Sequence, residues 1–326
     1  MNAIKIDGKA IAEALRAHVA RDLASLQAEF DVIPGLAVVL VGKDPASAVY
    51  VKTKAKQAQA LGFKSQQFLL PSNVEEAELL RLIEELNAND TIDGILVQLP
   101  LPGHIDRGRV LEAINPAKDV DGFHPYNVGR LAVGRPALAP CTPLGVVHLI
   151  QTVVSDLNGL DAVVIGRSNI VGKPLGLLLG DAGCTVISAQ LQTRDLPDLC
   201  RKADIVVAAA GCAGLVRGDW LKEGAIVIDV GINRATDLNG TAKLVGDVAF
   251  AEASERASYI TPVPGGVGPM TVAYLLANTL SAAVSRRGVS AVDNPESYHV
   301  WPSASKNRLV QVNSRNDLAK CDMTAA

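Results

Sequence analysis

Strand-like and helix-like patterns alternate along most of this 326-residue chain, and the alternation limits its possible folds more than any other feature. In the first half, apolar runs at residues 36–41 and 94–99 lie between amphipathic segments at residues 9–29, 45–61 and 75–87. Continuous apolar runs are typical of strands that are covered on both faces, as in parallel sheets. Because parallel strands need helical crossovers, the pattern predicts an α/β fold with a parallel sheet.

A second alternation begins after an irregular stretch between Pro100 and Pro143, which holds seven prolines and is either a linker or part of a site. The elements expected next are a helix at residues 143–154, strands at residues 162–165, 185–188, 205–209 and 225–230, and a helix at residues 173–181. Two domains are therefore predicted, at residues 1–140 and 141–270. Residues 289–326 are rich in Ser, Asn and Asp, which predicts a flexible tail.

Composition and charge favour a small-molecule ligand. The net charge is −3 and no long basic run occurs, so neither nucleic acid nor a membrane surface is an expected partner. No apolar run reaches membrane-spanning length, and the N-terminus lacks a signal-peptide core. The five cysteines and five histidines show no metal-binding spacing, so we expect no metal and no disulfide framework. Free thiols indicate a reducing cytoplasm.

Three prolines and three glycines lie within residues 262–269, immediately before an apolar helical pattern. Proline fixes φ and glycine permits positive φ, so this composition predicts a stiff loop with little side-chain bulk. Such a loop lets a flat ligand approach backbone groups, although a plain strand–helix connection has the same composition. Thr271 is predicted to cap the helix that follows.

A second glycine-containing loop, at residues 166–172, joins a predicted strand to a predicted helix. It differs from the usual Gly-x-Gly-x-x-Gly fingerprint. Gly166 would still let the backbone approach a phosphate, the helix N-terminus would favour its negative charge, and Arg167 would add a cation. The loop is either a dinucleotide site or a plain strand–helix turn. A further strand end, at residues 228–233, is expected on the same sheet edge, where it could meet a nicotinamide or its ribose.

Polar residues at three places in the first half are candidates for chemistry. Tyr50 and Lys54 lie four residues apart on a predicted helix and share one face, either as a catalytic pair or as a solvated lysine beside a packed tyrosine. Gln98 ends an apolar strand, either as a hydrogen-bonded core group or as a ligand contact. Asp119 and Asp121 belong either to an Asx-type turn or to a ligand anchor.

Taken in order, these segments resemble the bifunctional methylenetetrahydrofolate dehydrogenase/methenyltetrahydrofolate cyclohydrolase family. The resemblance covers about residues 3–287 and rests on motifs at residues 50–54, 97–100, 118–122, 166–174, 229–233 and 262–271. It implies a folate-binding catalytic domain, completed by a helix at about residues 271–286, and a Rossmann-like domain that binds NADP. It also implies a homodimer that meets through the dinucleotide domains.

The resemblance implies two reactions in one cleft. 5,10-Methylenetetrahydrofolate loses a hydride to NADP, and water then opens the resulting 5,10-methenyl cation to 10-formyltetrahydrofolate. Hydride transfer needs mainly the alignment of two carbons. Hydrolysis needs a group that takes and returns a proton near neutral pH, which a lysine can do where burial beside a cationic substrate lowers its pKa.

The resemblance assigns the catalytic roles to Lys54, Tyr50, Gln98 and Asp121. Lys54 transfers the proton, Gln98 positions Lys54, and Tyr50 orients it while packing on the folate. Asp121 accepts hydrogen bonds from the pterin, so Tyr50, Gln98 and Asp121 also bind substrate. Further substrate contacts are assigned to Pro264, Gly265 and Gly268, and cofactor contacts to Gly166, Arg167, Ser168 and Ile232.

The chain departs from this family after the second strand of the dinucleotide domain. Similar proteins carry a His-Ser-Arg-Thr-like or His-Arg-Phe-Thr-like motif that helps bind the 2′-phosphate of NADP. This chain has Gln190, Leu191, Gln192 and Thr193 there, so no cation remains in the motif, while Arg167 is kept. We therefore predict NADP as the working cofactor, with weakened discrimination and measurable use of NAD.

Two other functions stay open on the sequence alone. A monofunctional NAD(P)-dependent methylenetetrahydrofolate dehydrogenase would keep the alignment elements and lose the environment of Lys54. A catalytically dead folate- or nucleotide-binding protein would keep the clefts without the chemistry, which the presence of Lys54, Gln98 and Asp121 argues against.

Overall fold

A computed structural model describes residues 2–236 and 242–289, and it confirms the predicted class, an α/β fold of two domains with parallel sheets. Apart from Val289, the predicted tail lies outside the described residues. The elements of the first half are β1 (Ile4–Lys5), α1 (Gly8–Phe30), β2 (Gly35–Val41), α2 (Pro45–Leu61), β3 (Lys64–Leu70), α3 (Glu76–Ala88), β4 (Gly94–Val97), α4 (Arg107–Ala113) and α5 (Pro125–Ala132). Those that follow are α6 (Cys141–Gln151), β5 (Asp161–Ile165), α7 (Gly172–Asp181), β6 (Thr185–Ala189), α8 (Leu196–Lys202), β7 (Ile205–Ala208), β8 (Ile226–Asp229), β9 (Asn233–Thr236), β10 (Ala242–Val245), α9 (Phe250–Arg256), β11 (Tyr259–Ile260) and α10 (Val267–Arg287).

The N-terminal domain is built on a parallel three-stranded sheet in the order β3–β2–β4. All seven residues of β2 are buried. Its side chains alternate between two hydrophobic cores: Leu36 and Val38 belong to one, and Ala37 and Val39 to the other. Both faces of the sheet are therefore covered, which explains why the strand reads as a continuous apolar run.

The second domain contains a parallel sheet in the order β1–β11–β8–β7–β5–β6. β8 and β7 are central, and all residues of both strands are buried. β1, at the start of the chain, pairs with β11, Ile4 lying opposite Tyr259. These first residues therefore belong to the second sheet, although the sequence placed them in the first domain. A two-residue strand carries too little periodicity to reveal this pairing.

Helix α10 joins the two domains. It packs against α1 and α6, and nearly all of its side chains from Met270 to Val284 are buried. By length and composition this helix could cross a membrane, which contradicts the expectation that no segment reaches that length, but 78% of its apolar window is buried inside the protein. It is therefore a core helix. At its end, Arg286 and Arg287 bind the fully buried Asp93 at 2.7 and 2.8 Å, which fixes α10 to the N-terminal domain.

Several elements were not anticipated from the sequence. The irregular stretch between Pro100 and Pro143 contains α4 and α5, of seven and eight residues, which are too short to show a period. Strand β3 alternates between exposed and half-buried residues because it lies at a sheet edge. The β9–β10 hairpin was also missed, and it follows directly after Ile232.

Candidate active site

A cleft of about 820 Å³ lies between the two domains. Helices α1 and α2 form one wall, and the carboxyl end of β8 with the β9–β10 hairpin forms the other. The proline- and glycine-rich loop at residues 262–269 lines the cleft along its whole length. Ligands of open α/β sheets bind outside the carboxyl ends of the strands, so this cleft is the expected binding place.

Helix α2 is fixed at both ends by local sequence. Pro45 occupies its first turn, and the side chain of Asp44 accepts a hydrogen bond from the backbone N–H of Ser47 at 2.8 Å. Gly62 ends the helix with a φ of +100°, a conformation that favours glycine. These caps determine where the residues four apart on one face, Tyr50 and Lys54, point.

Lys54 is buried between that tyrosine and the end of β4. Its Nζ lies 5.5 Å from the centre of the Tyr50 ring and donates a hydrogen bond of 3.1 Å to Gln98 Oε1. The amide nitrogen of Gln98 in turn donates to the carbonyl of Leu99 at 2.8 Å, which fixes the amide so that its oxygen faces Lys54. Burial raises the pKa of Tyr50, so its hydroxyl stays protonated. The structure brings Tyr50, Lys54 and Gln98 into one cluster.

The turn that carries Asp121 is anchored by buried charged groups. Lys118 is almost fully buried, and its Nζ donates to the carbonyls of Leu86, Asn87 and Asn89 at the end of α3. Asp119 accepts hydrogen bonds from the His124 backbone and the Asn127 side chain. These bonds leave the backbone around Asp121 little freedom.

Helix α10 adds a second anchor beneath the same turn. Asn278 is buried and donates to the carbonyls of Val120 and Ala139 at 2.8 and 3.0 Å. The Cys141 thiol donates to the Val120 carbonyl at 3.3 Å, and burial raises the pKa of this thiol well above its ordinary value. The cysteine is therefore a neutral structural donor beside the site.

Asp121 is half-buried beside Lys54 and Asp119. Burial raises the pKa of its carboxyl to about 6, the Lys54 ammonium opposes the rise, and the Asp119 carboxylate adds to it. Within residues 2–236 and 242–289, no protein donor forms a hydrogen bond to this carboxylate. Asp121 is thus charged at neutral pH and still open to a donor from a ligand.

The loop at residues 262–269 follows β11 and approaches α1 and α2 closely. Gly265 has a φ of +108°, and a Cβ there would meet Lys9 Cε at 3.4 Å. A Cβ on Gly268 would meet the Tyr50 hydroxyl at 3.5 Å. The predicted cap at Thr271 is wrong, because α10 begins at Val267 and the Thr271 hydroxyl instead bonds that of Thr142 at 2.9 Å.

The Gly166 loop lies at the carboxyl end of β5. Gly166 has a φ of +126°, and a Cβ there would come within 2.1 Å of the Ala209 carbonyl oxygen, so only glycine fits. Ser168 Oγ accepts hydrogen bonds from the N–H groups of Val171 and Gly172 at 3.1 and 3.4 Å. These two bonds shape the turn that leads into α7, and the role of the loop in anion binding stays a prediction. The exposed Arg167 remains as the cation of the loop.

The turn after β6 contains the residues that depart from the family motif. Thr193 Oγ1 accepts from the Gln190 N–H at 2.9 Å, and the Thr193 N–H donates to the Gln190 carbonyl at the same distance. These two bonds close the turn and leave Leu191 49% exposed. The side chains at residues 190–193 are thus neutral, and the exposed Arg194 follows one residue beyond the motif.

Two buried carboxylates hold together the loops at the carboxyl ends of β7 and β8. Asp229 Oδ1 accepts from the N–H groups of Gly231 and Asp247, and burial raises the pKa of the Asp229 carboxyl to about 6. Asp247, which is fully buried, accepts from the N–H groups of Ala210 and Gly211 and from the Asn233 side chain. Asp247 was not among the residues predicted to matter, because a single aspartate after a short hairpin is a weak signal in the sequence.

Among the residues that the structure describes, no group of three or more His, Cys, Asp or Glu side chains is placed to hold a metal ion.

Comparison with known families accounts for both domains. Residues 6–121 match the family described as tetrahydrofolate dehydrogenase/cyclohydrolase, catalytic domain, and residues 140–287 match the NAD(P)-binding domain of the same family. The chain belongs to the tetrahydrofolate dehydrogenase/cyclohydrolase family.

Relatives of this tetrahydrofolate dehydrogenase/cyclohydrolase are similar over nearly their full length. "Bifunctional protein FolD 1" of Rhizorhabdus wittichii is 59% identical over 286 residues, which cover 88% of this chain and 97% of the relative. A crystal structure of the bifunctional FolD enzyme from Campylobacter jejuni shares 49% identity with a TM-score of 0.83, covering 87% of this chain and 99% of that one. The Trypanosoma brucei FolD structure, complexed with NADP and an inhibitor, shares 42% identity with a TM-score of 0.84, covering 89% and 100%.

In this dehydrogenase/cyclohydrolase the candidate residues fall into two groups. Tyr50, Lys54, Gln98 and Asp121 lie together on the N-terminal domain, and Pro264, Gly265 and Gly268 line the cleft beside Tyr50. On the second domain, Ile232 is 56% exposed in the cleft, while Gly166, Arg167 and Ser168 lie in the loop after β5. Sequence reasoning missed the structural roles of Lys118, Asn278 and Asp247. These side chains are buried, and each forms hydrogen bonds with backbone groups near the site.

Proposed function

We propose that this enzyme oxidises 5,10-methylenetetrahydrofolate with NADP and hydrolyses the 5,10-methenyl product in the same cleft, with Lys54 as the proton-transfer group of the second reaction. The observation that carries the proposal is the cluster of buried Lys54, Gln98 and half-buried Asp121 beside Tyr50. The bifunctional relatives named above support both activities.

The second domain has the features that a dinucleotide needs. Gly166 allows a close backbone approach that a Cβ would block, and the exposed Arg167 has no ion-pair partner within the described part of the chain. Ile232 presents an apolar surface to the cleft. When bound, NADP supplies the hydride acceptor, and the part of the protein is to hold the substrate carbon in line with it.

Hydrolysis depends on groups of the first domain. Water adds to the bridging carbon of the methenyl cation, and Lys54 Nζ, which must be an unprotonated amine at this step beside the cationic substrate, accepts the proton that the water loses. The same nitrogen returns the proton to the ring nitrogen as the carbon–nitrogen bond breaks. The hydrogen bond of 3.1 Å to Gln98 Oε1 holds Nζ in place during both transfers.

Asp121 is proposed to bind the pterin. Its carboxylate is charged at neutral pH and has no protein hydrogen-bond donor among the described residues. The amino group and ring N–H of a pterin can therefore each donate a hydrogen bond to one of its two oxygens. The turn that carries Asp121 is held by Lys118 and Asn278, which fixes the distance between the carboxylate and Lys54.

The test is the substitution Lys54→Met, with Lys56→Met as the matched control on the exposed side of α2. Lys54→Met should abolish hydrolysis of methenyltetrahydrofolate, while folate binding persists because the cleft remains. Lys56→Met should leave both activities at the wild-type level. Near-normal hydrolysis by Lys54→Met would overturn the role of Lys54.

The same assays separate the two alternatives. A monofunctional dehydrogenase would form NADPH but hydrolyse the methenyl substrate no faster than buffer. A binding protein without activity would form no NADPH at all.

We further propose that the protein is a homodimer whose dinucleotide domains meet at β6. This strand lies at an open edge of its sheet, and Ile187 on it is 38% exposed. Two copies of an open edge can pair about a two-fold axis, which gives a closed dimer.

Light scattering after gel filtration should therefore find a dimer for the wild type and a monomer for Ile187→Lys. The control Leu69→Lys, at the open edge β3 of the other sheet, should stay dimeric; a monomeric wild type would contradict the proposal.

A further inference from the structure

Two carboxylates at the carboxyl end of the second sheet are interlocked. A Cβ on Gly231 would lie 2.2 Å from Asp247 Oδ1, and a Cβ on Gly246 would lie 1.8 Å from Asp229 Oδ2. Each carboxylate thus occupies the space that the other segment leaves open by having glycine. The hairpin between Ile232 and Gly246 is closed at its base by this arrangement.

The hydrogen bonds of Asp247 reach two loops that are distant in sequence. Its Oδ2 accepts from the N–H groups of Ala210 and Gly211, both at 2.7 Å, in the loop after β7. Its Oδ1 accepts from Asn233 Nδ2 at 2.8 Å, in the segment after β8. One fully buried side chain therefore fixes the separation of these loops.

Both loops touch the proposed cofactor site. The segment from Asp229 to Ile232 lines the interdomain cleft. The loop after β7 contacts the Gly166 loop, since the Ala209 carbonyl oxygen would lie 2.1 Å from a Cβ on Gly166. Asp247 itself does not line the cleft, so any effect on the cofactor passes through the loops.

We propose that Asp247 is a positioning residue for the dinucleotide, which sets the spacing between the loop at residues 209–211 and the segment at residues 229–233. The proposal rests on the proposed function, since it takes the dinucleotide to bind across these loops. It predicts that a change at position 247 weakens cofactor binding and spares the hydrolysis reaction, which uses only the N-terminal cluster.

Asp247→Asn is the informative substitution because it keeps the size of the side chain. In either orientation of the new amide, its NH₂ group faces a donor: the two backbone N–H groups or Asn233 Nδ2. Adding Asn233→Asp restores an acceptor opposite that NH₂ group. The double variant therefore rebuilds the pair with donor and acceptor exchanged.

The measurements are the Kd for NADP by titration calorimetry, the KM for NADP, the hydrolysis rate with methenyl substrate, and the melting temperature without ligand. Asp247→Asn should raise both the Kd and the KM for NADP at least tenfold, with hydrolysis within twofold of wild type. The double variant should recover the Kd to within about threefold. Lys243→Ala, exposed on the same hairpin, is the control and should change nothing.

Three results would overturn the inference: an unchanged Kd, an equal loss of hydrolysis and NADP binding, or no recovery in the double variant. If Asp247→Asn does not fold, Asn233→Ala removes only the Asn233 Nδ2 donor and should raise the Kd for NADP at least threefold. An unchanged Kd in that variant would also overturn the inference. Failure of the proposed function is distinguishable, because it would appear in the wild type as NADP binding without NADPH formation.

Discussion

Replacing Asp121 by asparagine is expected to stabilise the free enzyme while it weakens folate binding. Asparagine has nearly the shape of aspartate and carries no charge, so the substitution isolates the effect of the buried charge. The carboxylate has Lys54 as its cationic neighbour and no hydrogen-bond donor among the described residues. The folded protein without ligand therefore holds this charge at a net cost.

The magnitude follows from the pKa of that carboxyl. Burial raises the pKa of Asp121 from 3.8 to about 6, with Lys54 limiting the rise. A pKa difference of one corresponds to about 1.36 kcal/mol, so the charged carboxylate costs the folded state about 3 kcal/mol. Because the folded state binds the proton more tightly than the unfolded state, the cost is absent below pH 3.8, grows as the pH rises, and is complete above about pH 6.

The assay is thermal unfolding of the ligand-free wild type and Asp121→Asn across this pH range. For domains of this size about 1 kcal/mol shifts the Tm by about 2–4 °C, so the variant should melt about 6–12 °C higher at about pH 8. The difference should shrink towards zero as the pH falls from about 6 to about 4. Glu84→Gln, an exposed carboxylate in the same domain, should leave the Tm nearly unchanged.

Folate binding should change in the opposite direction. Loss of a charge-assisted hydrogen bond to the pterin should weaken binding by about 1.5–3 kcal/mol, measured as the Kd by calorimetry. The reasoning is refuted by a variant that melts lower than wild type at about pH 8, or by a gain in Tm that is independent of pH. An unchanged folate Kd would refute the assignment of Asp121 to the pterin.

Three other substitutions or deletions test separate parts of the structure. Arg167→Ala should lower kcat/KM for NADP by a factor equivalent to a free energy of about 1.5–3 kcal/mol, and kcat/KM for NAD much less; equal losses would show that this arginine does not bind the 2′-phosphate. Wild-type enzyme that uses NAD as efficiently as NADP would show that the cofactor preference has switched. Asp93→Asn should lower the free energy of unfolding by about 3 kcal/mol, because Arg286 and Arg287 lose a buried partner, and an unchanged Tm would contradict this. Ending the chain after Gly288, where α10 stops, should leave both activities and the Tm unchanged, whereas a drop in either would give the last residues a structural role.

Elements that are buried on both faces could be placed from sequence. The strands predicted at residues 36–41 and 162–165 are observed at Gly35–Val41 and Asp161–Ile165, because burial on both faces requires apolar side chains without interruption. Strand β3 escaped prediction for the opposite reason. It pairs on one side only, and polar residues at three of its exposed positions, Lys64, Gln66 and Gln67, conceal the strand.

The candidate site divides in the same way. Tyr50 and Lys54 could be paired from their spacing, since a helix places residues four apart on one face. Asp247 could not be found, because its partners are Asn233, which is 14 residues away, and the N–H groups of Ala210 and Gly211, which are 37 and 36 residues away. Local patterns report only on neighbours in sequence, and a bond between distant loops leaves no such pattern.

Asp121 and Asp229 have the same raised pKa of about 6, but they differ in their hydrogen bonds. This difference distinguishes a carboxylate that is open to a ligand from one that holds loops together. Burial is the first cause in both. Asp229 is satisfied by the N–H groups of Gly231, Asp247 and Val248, so it has little left to offer a ligand. Asp121 has no such donors among the described residues; Lys54 offsets part of its charge, and its oxygens stay open to hydrogen bonds from a ligand. A raised pKa is therefore common to both buried carboxylates, and the lack of protein hydrogen-bond donors is what supports Asp121, rather than Asp229, as the proposed substrate-binding group.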